Sequence, residues 1–380
     1  MRYTVAHVNV LAVEMPGNTK AIAVARHELC CYSYVMLDRR TALAALSAAA
    51  VSSSTGIPAA APAPLTRKPP RLRPGDTVGL IEPAGFTVDR FDLEAILDTV
   101  RAMGLVPKPA PHVMKRYGYL AGTDKERAAD VDAMFADRDV RAIFAVRGGW
   151  GSARTLPYLD FDTIRANPKL LVGFSDVTAL HLALAAKTGC PSIHGPTLSS
   201  SWGTLSWDSF KRLVFDAETP TWRMPAGGED RLVPRRGRVR TFGSGKASGR
   251  LLGGNLAVLA AMVGTPYMPD MTGAILFLEE VDEAEYRIDR MMTQLALSGL
   301  LGKVAGVVFG QCTNCGTDDS PGIGFSLSEI LDNHLKPLGV PAFQGAPFGH
   351  VANQVSLPVG IRAEIDADAG TIRILEAVVT

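Results

Sequence analysis

The stretch LLVGFSDVTALHLALAAKTG, residues 170–189, places Ser175 between an apolar strand and an amphipathic helix, with Asp176 directly behind it. A Ser or Asp at such a point ordinarily caps the helix by accepting a bond from an orphan N–H. The same place also suits a nucleophile, because the positive end of a helix stabilises an anion formed there. A serine nucleophile needs a base, an acid that orients the base, and oxyanion donors. The hydrolase motif GxSxG is not met, since Val177 stands at its last position in GFSDV.

Candidate bases are His112, His181, His194, His334 and His350. His181 follows Ser175 by six positions on the helix and reads as a packing or surface residue. His334, in SEILDNHLKPLG, reads as solvated. His194, in SIHGP, ends a strand near the presumed pocket. His350, in GAPFGHVANQVSLPVG, lies in a Gly/Pro-rich loop of the kind that presents catalytic groups. For the acid, AILFLEEVDE ends an apolar strand on Glu279 and Glu280. A strand's period of two turns one of the pair inward and leaves the other solvated. A buried carboxylate needs a partner, and a histidine would supply it; spacing alone leaves the choice between the two open.

The 380-residue chain has room for about two domains. Its residues are 47% hydrophobic and 20% charged, with a net charge of +1. That balance gives no electrostatic footprint for nucleic acid or an anionic membrane. The 5 cysteines are too few and scattered for a disulfide scaffold. Cys312 and Cys315, in FGQCTNCGTDD, have no second Cys pair or nearby His to complete a zinc site, so they are expected to be ordinary loop thiols, and no metal or cofactor is expected.

From Met36, MLDRRTALAALSAAAVSSSTGIPAAAPAP has the layout of a secretory signal: paired Arg39 and Arg40, a weakly apolar run, and an A-x-A site at Ala59–Ala61. The arginine pair suggests the twin-arginine route to the periplasm, with a disordered tail on a cytoplasmic protein as the alternative. Translation is expected to start at Met36, and residues 1–70 to lie outside the fold.

Between Thr77 and Ser192 short buried strands alternate with helical patterns, among them TDKERAADVDAMFADRD with Thr123 as N-cap. This alternation means an α/β fold with a parallel sheet, whose ligands bind beyond the carboxyl ends of the strands. Both RGGWG and GFSD fall at such ends. The expected organisation is a nucleophile domain over 71–196, a bridging region over 197–246, and a smaller α/β domain over 247–380 of more antiparallel character.

The blocks RGGWGSARTLPYLDF, PKLLVGFSDVTALH, IHGP, GRLLGGNLAVLAAMVGTPYMPD, ILFLEEVDEAEYRIDRMMTQL and FGHVANQVSLPVG follow one another from about Arg73 to the C-terminus. Together they resemble the LD-carboxypeptidase family of serine peptidases, whose members trim murein tetrapeptides or give self-immunity to a peptide antibiotic. The resemblance implies a Rossmann-like N-terminal domain, a homodimer, and a Ser-Glu-His triad of Ser175, Glu279 and His350. It thereby selects Glu279 over Glu280. It further implies oxyanion donors from the N–H groups of Asp176 and Gly149, with the Asp176 carboxylate acting as a cap or tether. The expected reaction is release of the terminal D-Ala from a murein tetrapeptide. The alternatives are an amidase acting on a peptide antibiotic, or a non-catalytic exported binding protein on the same fold.

Overall fold

Buried strands of a parallel sheet are apolar on both faces, and the strand sequences TVGLI, VRAIFA and LLVG meet that demand. The computed structural model describes residues 9–13, 21–25, 68–223, 238–316 and 324–380. Residues 1–61 and 62–380 form two compact units. In the first, β1 (Asn9–Val13) pairs antiparallel with β2 (Ala21–Ala25); the signal-like segment from Met36 lies outside the described residues.

The second unit holds two sheets. Strands β3 (Thr77–Ile81), β4 (Val106–Pro109), β5 (Val140–Ala145), β6 (Leu170–Gly173) and β7 (Ser192–His194) run parallel. In the second sheet, β8 (Thr221–Arg223), β9 (Arg240–Gly243), β10 (Lys246–Asn255), β11 (Ile275–Val281), β12 (Gly306–Thr313) and β13 (Ala342–Gln344) come first along the chain. After them come β14 (Leu357–Val359), which joins the first sheet, and then β15 (Arg362–Asp366) and β16 (Thr371–Ile374) of the second. The first sheet has the order β14-β7-β6-β5-β3-β4, and β14 is its one antiparallel strand. The second is eight-stranded, β8-β16-β15-β10-β11-β12-β13-β9, with a parallel centre from β10 to β13 and antiparallel flanks. The chain is therefore α/β, with a largely parallel sheet and a second sheet of more antiparallel character.

Strand β14 comes from the C-terminal part of the chain yet closes the first sheet, while β8 and β9 leave the region 197–246 to close the two edges of the second. In the first sheet the chain runs from β3 outward to β4, then returns to place β5 on the other side of β3. That reversal opens a crevice between the ends of β3 and β5, the place where open α/β sheets bind ligands.

Helices cover these sheets and fix the strand ends. Thr123 starts the helix Asp124–Ala136 through a capping box with Glu126. The helix Thr178–Lys187, nearly all apolar, packs its Leu180, Leu182 and Leu184 into the core. Ile143 and Phe144 of β5 are fully buried, and burying each such side chain contributes roughly 1.5–3 kcal/mol. Strand ends anchored in this way hold the loops beyond them in place.

Candidate active site

Ser175 lies one residue, Phe174, beyond β6 and opens a short 3-10 turn, Ser175–Val177, that feeds the helix from Thr178. Its φ is +61°. A non-glycine residue in this left-handed region is strained and persists only where its surroundings enforce it. The effect is to lift the hydroxyl out of the strand line, as GxSxG motifs do, although the motif itself is missing here.

Two contacts hold the turn. The Asp176 carboxylate accepts the Ser152 N–H at 2.7 Å and so ties the Ser175 turn to the far end of the RGGWG loop; burial raises its pKa, against the pull of its hydrogen bonds to Ser152 and Gly151. A Cβ added to Gly148 would lie 3.2 Å from Ser175 Cβ and 3.4 Å from its Oγ, so glycine here brings that loop close against Ser175.

His350 comes from the loop between β13 and β14. Its Nε2 is 3.0 Å from Ser175 Oγ, and its Nδ1 is 2.7 Å from Glu279 Oε2. Glu279 is fully buried and His350 is half-buried, with the Phe174 ring packed 4.8 Å from the imidazole. Gly349, at φ +118°, lets the loop pass Glu279: a Cβ there would lie 3.0 Å from Glu279 Cβ. Burial opposes the charged imidazolium, but the hydrogen bond and charge of Glu279, with the charges of Glu280 and Asp282, outweigh it and raise the His350 pKa above its usual value. The arrangement can carry a proton from a serine hydroxyl to an imidazole held by a carboxylate.

The other histidines lie elsewhere. His181 is buried, bonded to Ser192 Oγ and the Gly173 carbonyl, and burial lowers its pKa to about 4. His194 is buried among Phe174, Phe277 and Phe348, and neither ring nitrogen has a hydrogen-bond partner. Burial, and then the nearby His181 and His350, hold its pKa well below the usual value. His334 pairs with Asp289 at 2.7 Å, and so is not simply solvated; His112 pairs with Asp130.

Glu280 corrects an expectation. It is buried, not solvated: Oε1 accepts from Asn255 Nδ2 at 2.8 Å and from its neighbour Val281, and Oε2 accepts the Ala257 N–H at 2.8 Å. Strand β11 is central in its sheet and buried on both faces from Ile275 to Glu280, so the alternation of side chains exposes neither carboxylate. Asn255 also caps the helix Leu256–Met262, and its N–H donates to Thr178 Oγ1 at 3.0 Å. Thr178, Asn255 and Glu280 thus link the helix that follows Ser175 to the strand that carries Glu279. Only the helix-start pattern GGNLAVL hints at this in the sequence.

The cysteine expectation is also overturned. Cys312 and Cys315 form a disulfide across a turn in which Asn314 has φ +53°, bringing their Cα atoms to 5.4 Å. Thr313, between them, donates from Oγ1 to the His350 carbonyl at 2.8 Å. Among the described residues no group of His, Cys, Asp and Glu could hold a metal ion, and no helix is long and apolar enough to cross a membrane.

Residues 78–195 match the LD-carboxypeptidase N-terminal domain and residues 248–365 the LD-carboxypeptidase C-terminal domain. The chain is 36% identical over 307 residues to the probable murein peptide carboxypeptidase of Bacillus subtilis, covering 80% of this chain and 92% of the relative. It is 33% identical over 298 residues to the murein tetrapeptide carboxypeptidase of Pseudomonas aeruginosa, covering 77% and 93%. Among solved structures, MccF in complex with glutamyl sulfamoyl guanosine superposes with a TM-score of 0.74 at 27% identity, over 83% of this chain and 100% of that one. Matched in both of its domains and by relatives of nearly its own extent, the chain belongs to the LD-carboxypeptidase family of serine-type peptidases.

Proposed function

We propose that the protein is a serine LD-carboxypeptidase that releases the terminal D-Ala of murein tetrapeptides, with Ser175 as nucleophile, His350 as base and Glu279 as the acid that orients it. The observation that carries this reading is the unbroken relay from Glu279 Oε2 through His350 to Ser175 Oγ. Ser175 Oγ attacks the last amide carbonyl and gives its proton to His350 Nε2. Glu279 accepts from Nδ1–H, keeping Nε2 free as the base and stabilising the imidazolium. The N–H groups of Asp176 and Gly149 receive the oxyanion, each worth about 3–4 kcal/mol of barrier. His350 then protonates the amine of D-Ala as the C–N bond breaks, and a water deprotonated by the same imidazole hydrolyses the acyl-enzyme.

The test is incubation with purified tetrapeptide stems, followed by mass spectrometry. Release of one D-Ala by the native protein and none by Ser175→Ala supports the reading; intact stems after prolonged incubation overturn it. A parallel incubation with glutamyl sulfamoyl guanosine, the ligand of the MccF structure, addresses the antibiotic-directed alternative. Turnover of neither, without serine labelling, favours the binding protein.

We further propose export to the periplasm by the Arg39–Arg40 segment and assembly as a homodimer. The Cys312–Cys315 disulfide supports an oxidising compartment. Periplasmic fractionation of the full-length protein, with and without Arg39→Lys and Arg40→Lys, tests the first; light scattering tests the second.

A further inference from the structure

The crevice where the first sheet reverses direction is built from two loops, one leaving β3 and one leaving β5. They are joined where Gly85 N–H donates to the Gly148 carbonyl at 3.2 Å. A cavity of about 550 Å³ opens there, lined by Phe86, Tyr119, Arg147, Gly149 and Trp150 with Gly85 and Val88. No acidic residue is among them. Gly148, beside Arg147 in the chain, is the residue packed against Ser175, so Arg147 leaves this loop one residue from the contact with the serine.

Arg147 differs from most of the neighbouring cations. Arg127 is committed to Asp124 and to the Gly151 carbonyl, Arg154 to Asp124, and Lys115 to Glu126. Arg147 is exposed and has no carboxylate partner among the described residues. Its Nη1 donates to the Phe86 carbonyl at 2.8 Å. That bond uses one of five N–H donors and fixes the plane of the fork, leaving donors for an anion. Arg116 stacks over the Phe86 ring at 4.8 Å and adds a second positive charge to the same wall.

We propose that Arg147 recognises the free carboxylate at the end of the substrate and so restricts cleavage to the last amide bond; this rests on the carboxypeptidase reading above. An enzyme that removes one terminal residue must sense the charge that marks the terminus. An arginine fork, braced by a backbone carbonyl and carried on the loop that packs against Ser175, binds a carboxylate by paired charge-assisted hydrogen bonds. Arg147 also borders a second cavity, lined by Thr87, Asp92 and Ser199 among others. The Asp92 carboxylate repels an anion on that side, which assigns the substrate carboxylate to the aromatic side, over Phe86 and Trp150.

The test compares a murein tetrapeptide ending in free D-Ala with the same peptide ending in D-alaninamide, using the native protein, Arg147→Met and Arg147→Lys. A fluorophosphonate labelling rate for each protein reports separately on Ser175. The native enzyme is expected to prefer the free acid by about 10- to 100-fold in kcat/KM, the range for hydrogen bonds to a charged group. Arg147→Met should lose most of that preference through the acid substrate alone while labelling at the native rate. Arg147→Lys should keep part of the preference, and it serves as the deciding variant if Arg147→Met fails to label or fold. A native enzyme indifferent to amidation, or an Arg147→Met or Arg147→Lys enzyme with undiminished preference for the acid, overturns the proposal and leaves the carboxypeptidase reading standing. A native enzyme that labels yet cleaves neither peptide overturns both.

Discussion

Ser175 Oγ and His350 Nε2 lie 3.0 Å apart, although 175 positions separate the two residues in the chain. One stands at the carboxyl end of a strand in the first sheet, the other in a loop that bridges the second sheet back to the first. The contact depends on both sheets being in place, because β14, immediately after the His350 loop, pairs with β7 of the sheet that carries Ser175. Removing the hydroxyl leaves this framework untouched. Ser175→Ala should therefore unfold at the native denaturant midpoint while turnover falls by about 10⁶, as in comparable triads. Steady-state kinetics beside a urea titration measure both.

The two adjacent glutamates should respond in different currencies. Glu279→Gln leaves an amide against His350 Nδ1, which can hold the wrong tautomer and cannot stabilise the imidazolium, and the equivalent change elsewhere lowers turnover by about 10⁴. Glu280 accepts from Asn255, Ala257 and Val281. Glu280→Gln sets an amide donor against at least one of these donors and should cost about 1–3 kcal/mol of stability. Turnover of the folded fraction should fall far less than in Glu279→Gln. Chemical denaturation and kcat, measured on both variants, separate the two effects.

The pH profile follows from the same pair. His350 must be neutral to act as base, and its carboxylate neighbours raise its pKa, so activity should rise with pH through a midpoint above the usual histidine value. Removing the charge in Glu279→Gln should move that midpoint down. An acid limb in kcat/KM that stays in place in this variant would detach the limb from His350.

Thr313 Oγ1 anchors the His350 carbonyl from within the disulfide turn. Closing so short a loop constrains the unfolded chain by about 2 kcal/mol in the chain-entropy model. Reduction, or Cys312→Ser, should lower stability by up to about that amount and reduce turnover several-fold through a looser His350 loop. Thr313→Val should reproduce the loss of turnover without the loss of stability. Denaturation and kinetics with and without a thiol reductant provide the measurement.

The strand–turn–helix around Ser175 was legible because it is local: an apolar strand, a polar turn and a helical period are written in consecutive residues. The parallel sheet was legible for the same reason. The base was harder to choose. His194 and His350 both end near the pocket, and only packing separates them, one ring enclosed by Phe174, Phe277 and Phe348, the other bonded to Glu279 and Ser175. The glutamate pair could not be resolved by alternation, because both faces of β11 are covered, which is a property of the packed sheet and not of the strand's own residues. The pairing of β14 with β7 and the placing of β8 and β9 are long-range and leave no local trace. The disulfide depends on a left-handed residue at Asn314, which the spacing of the two cysteines does not reveal.

The most direct test of the central claim is to treat the native protein with a fluorophosphonate and map the adduct by peptide mass spectrometry while following D-Ala release from a murein tetrapeptide. The account predicts a single adduct on Ser175, formed in step with loss of D-Ala release and absent in His350→Ala at the same exposure. An adduct on another residue that abolishes release, or full release from a protein fully modified at Ser175, would contradict it.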